Sequence, residues 1–168
     1  MATIYEDLCR HPFFAHFPPT TLKRIAEYAT LQSFDPGDFI MLEGGDADNF
    51  YLIESGEVSL KLYVPKHGRV IVDQLYSGDI LGWSWLIPPH HWQFDATAGP
   101  TTVRTISING KALRTLVNTD HELGYQLMKR IPPIVVNRLQ ATRKRLVDLL
   151  NTVPDGDFAR ENWEKLLP

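Results

Sequence analysis

"PGDFIMLEGGDADNFYLIESGEVSLKL", residues 36–62, is the stretch whose reading decides the fold. It opens on Pro36-Gly37, a turn pair in which proline presets φ and glycine takes conformations closed to other residues. "DFIML" follows, then Gly44-Gly45 and an acidic turn from Asp46 to Asp48. "NFYLIES" is rich in β-branched and aromatic residues and ends on another turn pair, Ser55-Gly56. Beyond it, Val58, Leu60, Leu62 and Val64 alternate, which predicts a strand with one buried face.

The same texture continues towards the C-terminus. "RVIVDQLY" and "TTVRTISI" are further strand-like runs and "FDATA" is a weaker one, with Val70, Val72 and Gln74 repeating the alternation. Glycines at 68 and 78 continue the turns at a spacing of roughly 8–12 residues, the signature of many short strands, and another turn pair follows at Gly99-Pro100. A β-sandwich or barrel is therefore expected over about residues 31–108.

Helices are expected on both sides, over about residues 3–30 and 109–150. In "PTTLKRIAEYA", Leu22, Ile25, Ala26 and Ala29 fall at i, i+3, i+4 and i+7, and Thr20 or Thr21 can cap the start. After Asn109-Gly110, "KALRTLVN" reads as one short helix. "TDHE", Thr119 to Glu122, reads as a capping box opening a longer one. On that longer helix Met128, Val135, Leu139, Thr142, Leu146 and Leu149 form a coiled-coil-like seam, which suggests a helix partner and hence a homodimer; packing of the stripe on the chain's own barrel is the alternative. Pro132-Pro133 should kink or break it. Residues 1–150 are expected to form one domain, and 151–168 a tail with a turn and a last helical turn around Trp163.

The bulk composition narrows the functional classes. With 168 residues, 43% of them hydrophobic, the chain suits a single well-packed domain. Its 17 basic and 20 acidic residues give a net charge of −3, and so no global attraction for nucleic acid. The densest basic run, "NRLQATRKR" from Asn137 to Arg145, reads as a solvated helix face. Cys9 is the only cysteine, which leaves no disulfide framework, thiolate zinc site or iron–sulfur cluster. No signal-peptide pattern opens the chain, and the stretch from Ile80 to Phe94 is too short and too broken by proline to span a bilayer. A cytoplasmic protein without membrane contact is expected.

Helix, glycine-punctuated strands, then two helices is the order of the cyclic nucleotide-binding domain, and residues 36–62 resemble that family's first half. The resemblance rests on Gly37-Asp38, Glu43-Gly44, the Asp46–Asp48 turn, Tyr51-Leu52-Ile53 and Gly56. It continues in Leu75, Gly78 and Asp79, which match the L-x-x-G-D entry to a phosphate-binding cassette, and in Gly82. It covers about residues 12–150 and implies a double-stranded β-helix, or jelly roll, mainly β with flanking helices and a long C-terminal helix.

The departures from the family pattern carry the functional reading. Nucleotide-binding members place a glutamate for the ribose and an arginine for the cyclic phosphate in the cassette. Here the glutamate position is Trp83, the arginine position falls near His91 or Trp92, and no arginine lies between Arg69 and Arg104. Neither a neutral imidazole nor an indole replaces a guanidinium fork on a phosphate diester. The lost charge-assisted contact is worth about 1.5–3 kcal/mol, so with the ribose contact gone affinity falls by about two orders of magnitude or more. The resemblance also implies that a catabolite-activator-type DNA-binding module would follow the long helix, and the 18 residues after Leu150 cannot hold one.

The cassette candidates are Leu81, Gly82, Trp83, Ser84, Trp85, His90, His91 and Trp92. Their aromatic rings can fill the vanished ligand's cavity, line an altered pocket for another small molecule, or form a partner-protein surface. A cupin-like metal site is disfavoured, because His90 and His91 are adjacent and would point to opposite faces of a strand while His11, His16, His67 and His121 lie elsewhere. Cys9 and His91 are lone candidates for a haem axial ligand. No Ser-His-Asp order, P-loop or dinucleotide fingerprint is present. The expectation is a non-catalytic, bacterial-type regulatory or signalling domain without a cofactor. It would not bind cyclic AMP or GMP tightly or read DNA directly, and would act through another small ligand or a protein partner. The alternative is a true cyclic nucleotide receptor that binds through cassette backbone amides.

Overall fold

A computed structural model describes residues 3–152. The chain divides into two units, residues 1–133 and residues 134–168, each described by itself. The first unit holds two four-stranded antiparallel sheets. One has the order β1 (Ala29–Phe34), β8 (Val103–Asn109), β3 (Asn49–Ser55), β6 (Ile80–Leu81); the other runs β2 (Phe39–Met41), β7 (Asp95–Ala98), β4 (Val58–Val64), β5 (Gly68–Leu75). With its flanking helices this is the expected jelly roll.

"NFYLIES" is an almost continuous apolar run, and such a run fits a strand buried on both faces. From Phe50 to Ile53 every residue of β3 is at most 6% exposed. Phe50 turns towards the helices and meets Phe13 at 5.3 Å between ring centroids, while Tyr51 turns the other way and meets Phe34 at 6.2 Å. In β4 Val58 and Leu60 are buried, but so is Ser59 between them, and Leu62 and Val64 are only half-buried, so the predicted alternation does not hold. Val70 on β5 is exposed too, because β5 is an edge strand with a neighbour on one side only.

The helical boundaries differ from expectation in three places, all at α2 and α4. Helix α1 (Ile4–Arg10) is closed at its start by a Thr3/Glu6 capping box. Helix α2 (Pro19–Ala26) has proline at its first position and no side-chain cap, so Thr20 and Thr21 lie inside it; Ala29, which fits the helical stripe, opens β1 instead. Between α3 (Gly110–Thr119) and α4 (His121–Thr152) the cap is Asp120 and not Thr119. Asp120 accepts from the Leu123 amide at 3.0 Å, while Thr119 donates to the Thr115 carbonyl at 2.9 Å. The Leu123 amide, together with Arg24 at 2.5 Å, holds the Asp120 carboxyl below its usual range.

Helix α4 does not break at Pro132-Pro133. Met128, Lys129 and both prolines are exposed, so the two carbonyls that lose their amide donors can turn to water. In the first unit α4 packs by Leu123, Leu127 and Ile131, each buried, and not by the predicted seam. Met128, Leu139 and Leu146 are more than half exposed, Thr142 is exposed and Val135 half-buried. The side chain of Leu149 and the turn expected around Trp163 lie outside the described residues. Among the described residues no helix is long and apolar enough to cross a membrane.

Two glycines of the opening stretch separate strain from crowding. Gly37 (φ +87°) has open space where a Cβ would stand; a Cβ on Gly56 (φ +90°) would meet the Thr102 carbonyl oxygen at 2.8 Å and Val103 Cα at 2.9 Å. Gly37→Ala is expected to cost about 1–2 kcal/mol, the left-handed penalty alone. Gly56→Ala should exceed it by about 2 kcal/mol or more, because backbone must move. Urea denaturation of both variants measures the difference, and equal losses would refute the crowding.

Candidate functional site

The cassette is built outward from β3. After β5 the chain turns at Gly78 (φ +92°), where Asp79 accepts from the Tyr76 amide at 2.8 Å. It then pairs two residues with β3, Tyr51 opposite Leu81 and Leu52 opposite Ile80. Gly82 follows with φ +84° and leads into a single 3₁₀ turn, Trp83–Leu86. A loop returns the chain to the β2–β3 connection, where Asp46 and His91 form an isolated bridge, and β7 begins at Asp95.

Trp92 lies on Gly82. A Cβ at Gly82 would stand 2.9 Å from two atoms of the indole's six-membered ring. The ring is 6.5 Å from that of Tyr51, and Trp92 is 7% exposed. Its backbone is fixed on both sides: the Trp92 amide donates to the Gly45 carbonyl at 2.8 Å, and its carbonyl accepts from the Gly44 amide at 2.9 Å. Burial pushes the neighbouring Tyr51 phenol up from its ordinary pKa.

The other candidates do not converge on this point. Trp85 is fully buried and packs at 5.8 Å against Phe50, on the helix side of β3, while Trp92 packs against Tyr51 on the other side. Its backbone carbonyl accepts from Arg114 at 2.7 Å, and its indole Nε1 is buried without a hydrogen-bond partner. Leu81 and Ser84 are buried and Trp83 is half-buried. His90 adopts φ +61°, and its carbonyl accepts from the Ala47 amide at 2.7 Å. His91 is exposed, with Nδ1 3.2 Å from Asp46. Among the described residues no three His, Cys, Asp or Glu side chains come together in a way that could hold a metal ion.

Sequence reasoning missed one charged pair. Arg69 of β5 reaches Asp95 at the end of the cassette, with Nε 2.5 Å from the carboxylate, and its guanidinium lies over the Phe39 ring. Asp95 also accepts from the Glu43 amide at 2.8 Å. Burial alone would raise the Asp95 carboxyl, but the bonds from Arg69 and the Glu43 amide outweigh it and hold the group below its usual range. The guanidinium that the fold brings to this end of the cassette is thus already neutralised. No local signal announces the pair: 26 residues separate its members, and strand β4 between them brings them together.

Two packed sheets, a long C-terminal helix and a left-handed glycine leading into a short turn after the L-x-x-G-D step define the class. The chain belongs to the cyclic nucleotide-binding domain family, whose family model matches residues 31–120. A candidate cyclic nucleotide-binding protein from Geobacter metallireducens GS-15 is 34% identical, with a TM-score of 0.72 over 83% of this chain and 99% of that one. A cAMP-dependent protein kinase regulatory subunit from Colletotrichum orbiculare is 34% identical over 80 residues, 47% of this chain; the chain spans about a fifth of that relative's length, 20%. The fold is also shared with the regulatory subunit of a cAMP-independent protein kinase A from Trypanosoma cruzi bound to guanosine. That chain is 21% identical, with a TM-score of 0.60 over 68% of this chain and 42% of that one.

A double-mutant cycle tests the Trp92–Gly82 contact. Trp92→Ala is expected to cost about 3–5 kcal/mol as a buried aromatic truncation. Gly82→Ala should be less harmful in the Trp92→Ala background than in the wild type, with a coupling of about 1 kcal/mol or more. Strict additivity in denaturant unfolding would show that the indole does not press on Gly82.

Proposed function

We propose that this chain is a non-catalytic regulatory domain of the cyclic nucleotide-binding type whose cassette is closed by its own Trp92. In this reading it does not bind cyclic AMP or GMP tightly and acts through a different small ligand or a protein partner. The observation that carries it is the buried indole on Gly82, in a segment, residues 78–98, without a lysine or arginine. Arg69 supports the reading, since releasing it for a phosphate would strand the buried Asp95 carboxylate. The fold does not by itself demand a cyclic phosphate, as the guanosine-bound Trypanosoma cruzi subunit illustrates.

The charge distribution supports output through protein contact rather than DNA. The net charge is −3, and within the basic run of α4 Arg143 donates to Gln140 at 3.4 Å while Arg138 and Arg145 are also engaged. Val135, Leu139, Thr142 and Leu146 would join a second copy in a homodimer; the exposure of Leu139 and Leu146 supports this. A second reading is favoured by the kinship with a cAMP-dependent regulatory subunit: a receptor that binds cyclic nucleotide through cassette amides once Trp92 has moved.

A thermal-shift series with cyclic AMP, cyclic GMP and cyclic dinucleotides separates the two readings. A ligand at 100-fold its dissociation constant stabilises by about 2.7 kcal/mol, a shift of several degrees. No shift is expected at millimolar cyclic AMP or GMP, and a clear one overturns the main reading. For the assembly, light scattering should report a dimer for the wild type and a monomer for the Leu139→Asp/Leu146→Asp double variant. A monomeric wild type would refute the seam.

A further inference from the structure

A cleft of about 460 Å³ opens on the helix side of the first sheet, within the first unit. It lies between the end of α1, which supplies Asp7, Arg10 and His11, and the end of β3, which supplies Glu54; Ser77 and Arg104 complete the polar wall. A β-bulge shapes it. Ile53 pairs with Thr105 and Ser55 with Arg104, so Glu54 is the extra residue, and such bulges re-aim side chains next to binding sites. The bulge is held by the Ser77 hydroxyl on the Glu54 carbonyl at 2.7 Å and the Gly78 amide on the Ile53 carbonyl at 2.9 Å.

The charges in this cleft are incompletely matched. Asp7, whose side chain is only 12% exposed, is paired with Arg10. The Arg104 guanidinium makes no hydrogen bond or ion pair among the described residues, although its charge is felt at Glu54. Burial and the Asp7 charge push the Glu54 carboxyl up, against the pull of Arg104 and Arg10. His11, 6% exposed, accepts from the Phe13 amide at Nδ1, which leaves the proton on Nε2. That Nε2 is buried without a hydrogen-bond partner. Burial lowers the His11 pKa, which keeps the ring neutral.

Two carboxylates, two guanidiniums and a neutral imidazole give the wall no net charge but separated charges of both signs. A simple anion would meet Asp7 and Glu54, and a simple cation would meet Arg10 and Arg104. A ligand carrying both charges satisfies both ends, and the volume lies in the range of small-molecule sites. We propose that this cleft binds a small zwitterion of the α-amino acid type, its carboxylate on Arg104 and its ammonium group on Glu54 and Asp7. The cleft lies on the other side of β3 from Trp92, although Gly78 at the cassette's entry lines it.

The full-length chain is screened by thermal shift and calorimetry against each standard amino acid at millimolar concentration. The expected result is that at least one raises Tm by several degrees, while its carboxamide and N-acetyl derivatives do not. Arg104→Gln and Glu54→Gln should each weaken that binding by about tenfold to a hundredfold, as expected when a charge-assisted contact is lost. Trp92→Ala should leave it within about twofold. A silent screen, equal binding of the carboxamide, or full binding by Arg104→Gln overturns the proposal. Binding that survives Arg104→Gln and strengthens in Trp92→Ala, where the indole no longer fills the space beside Gly82, places the ligand at the cassette, which overturns this site and leaves the absence of cyclic nucleotide binding untouched.

Discussion

Strand β3 has to serve two cores at once. Phe50 meets Phe13 and Trp85 under the helices, and Tyr51 meets Phe34 and Trp92 on the other face. A slip of one residue would exchange these sets and expose each to the wrong neighbours, so the ladder between β3 and β8 is strongly specified. The cassette inherits its position from that register, because Ile80 and Leu81 pair with β3 and Gly78 and Asp79 exchange backbone hydrogen bonds with Ile53. The cleft on the helix side depends on β3 as well, through the bulge at Glu54.

What could be read from the chain follows the range of the forces involved. Strands β3 and β4 lie where "NFYLIES" and "VSLKLYV" place them, because unbroken apolar or alternating runs between glycine turns admit little else. Strand β1 was hidden: "ATLQSF" has no apolar run, and Ala29 fits the preceding helical stripe without a glycine or proline to end it. Strand β6 is two residues long, below the reach of any periodicity. The cap of α4 moved from Thr119 to Asp120, which also pairs with Arg24, a partner 96 residues away. In the cassette, Gly82 and the missing cation were legible. The division of the tryptophans between two sides of β3 was not, and neither was the Arg69–Asp95 pair, since both depend on which strands become neighbours.

Missing charge and a filled pocket act on affinity by separate routes. Loss of the cassette arginine removes a contact from the bound state and does nothing to the free protein. A side chain seated in the site acts on the free protein, because any ligand must first select molecules in which it has left. If burial of the Trp92 indole is worth about 2–3 kcal/mol, the open form is populated at no more than a few per cent, and apparent affinity falls by about 30- to 150-fold. That factor applies to whatever would occupy the space beside Gly82, charged or not. The missing cation discriminates only against phosphates. In the proposed reading, a cassette with both features disfavours cyclic nucleotides on two counts and an apolar ligand on one. If anything enters it, the occupant is one whose own ring contacts with Tyr51 and Gly82 can replace those that Trp92 gives up.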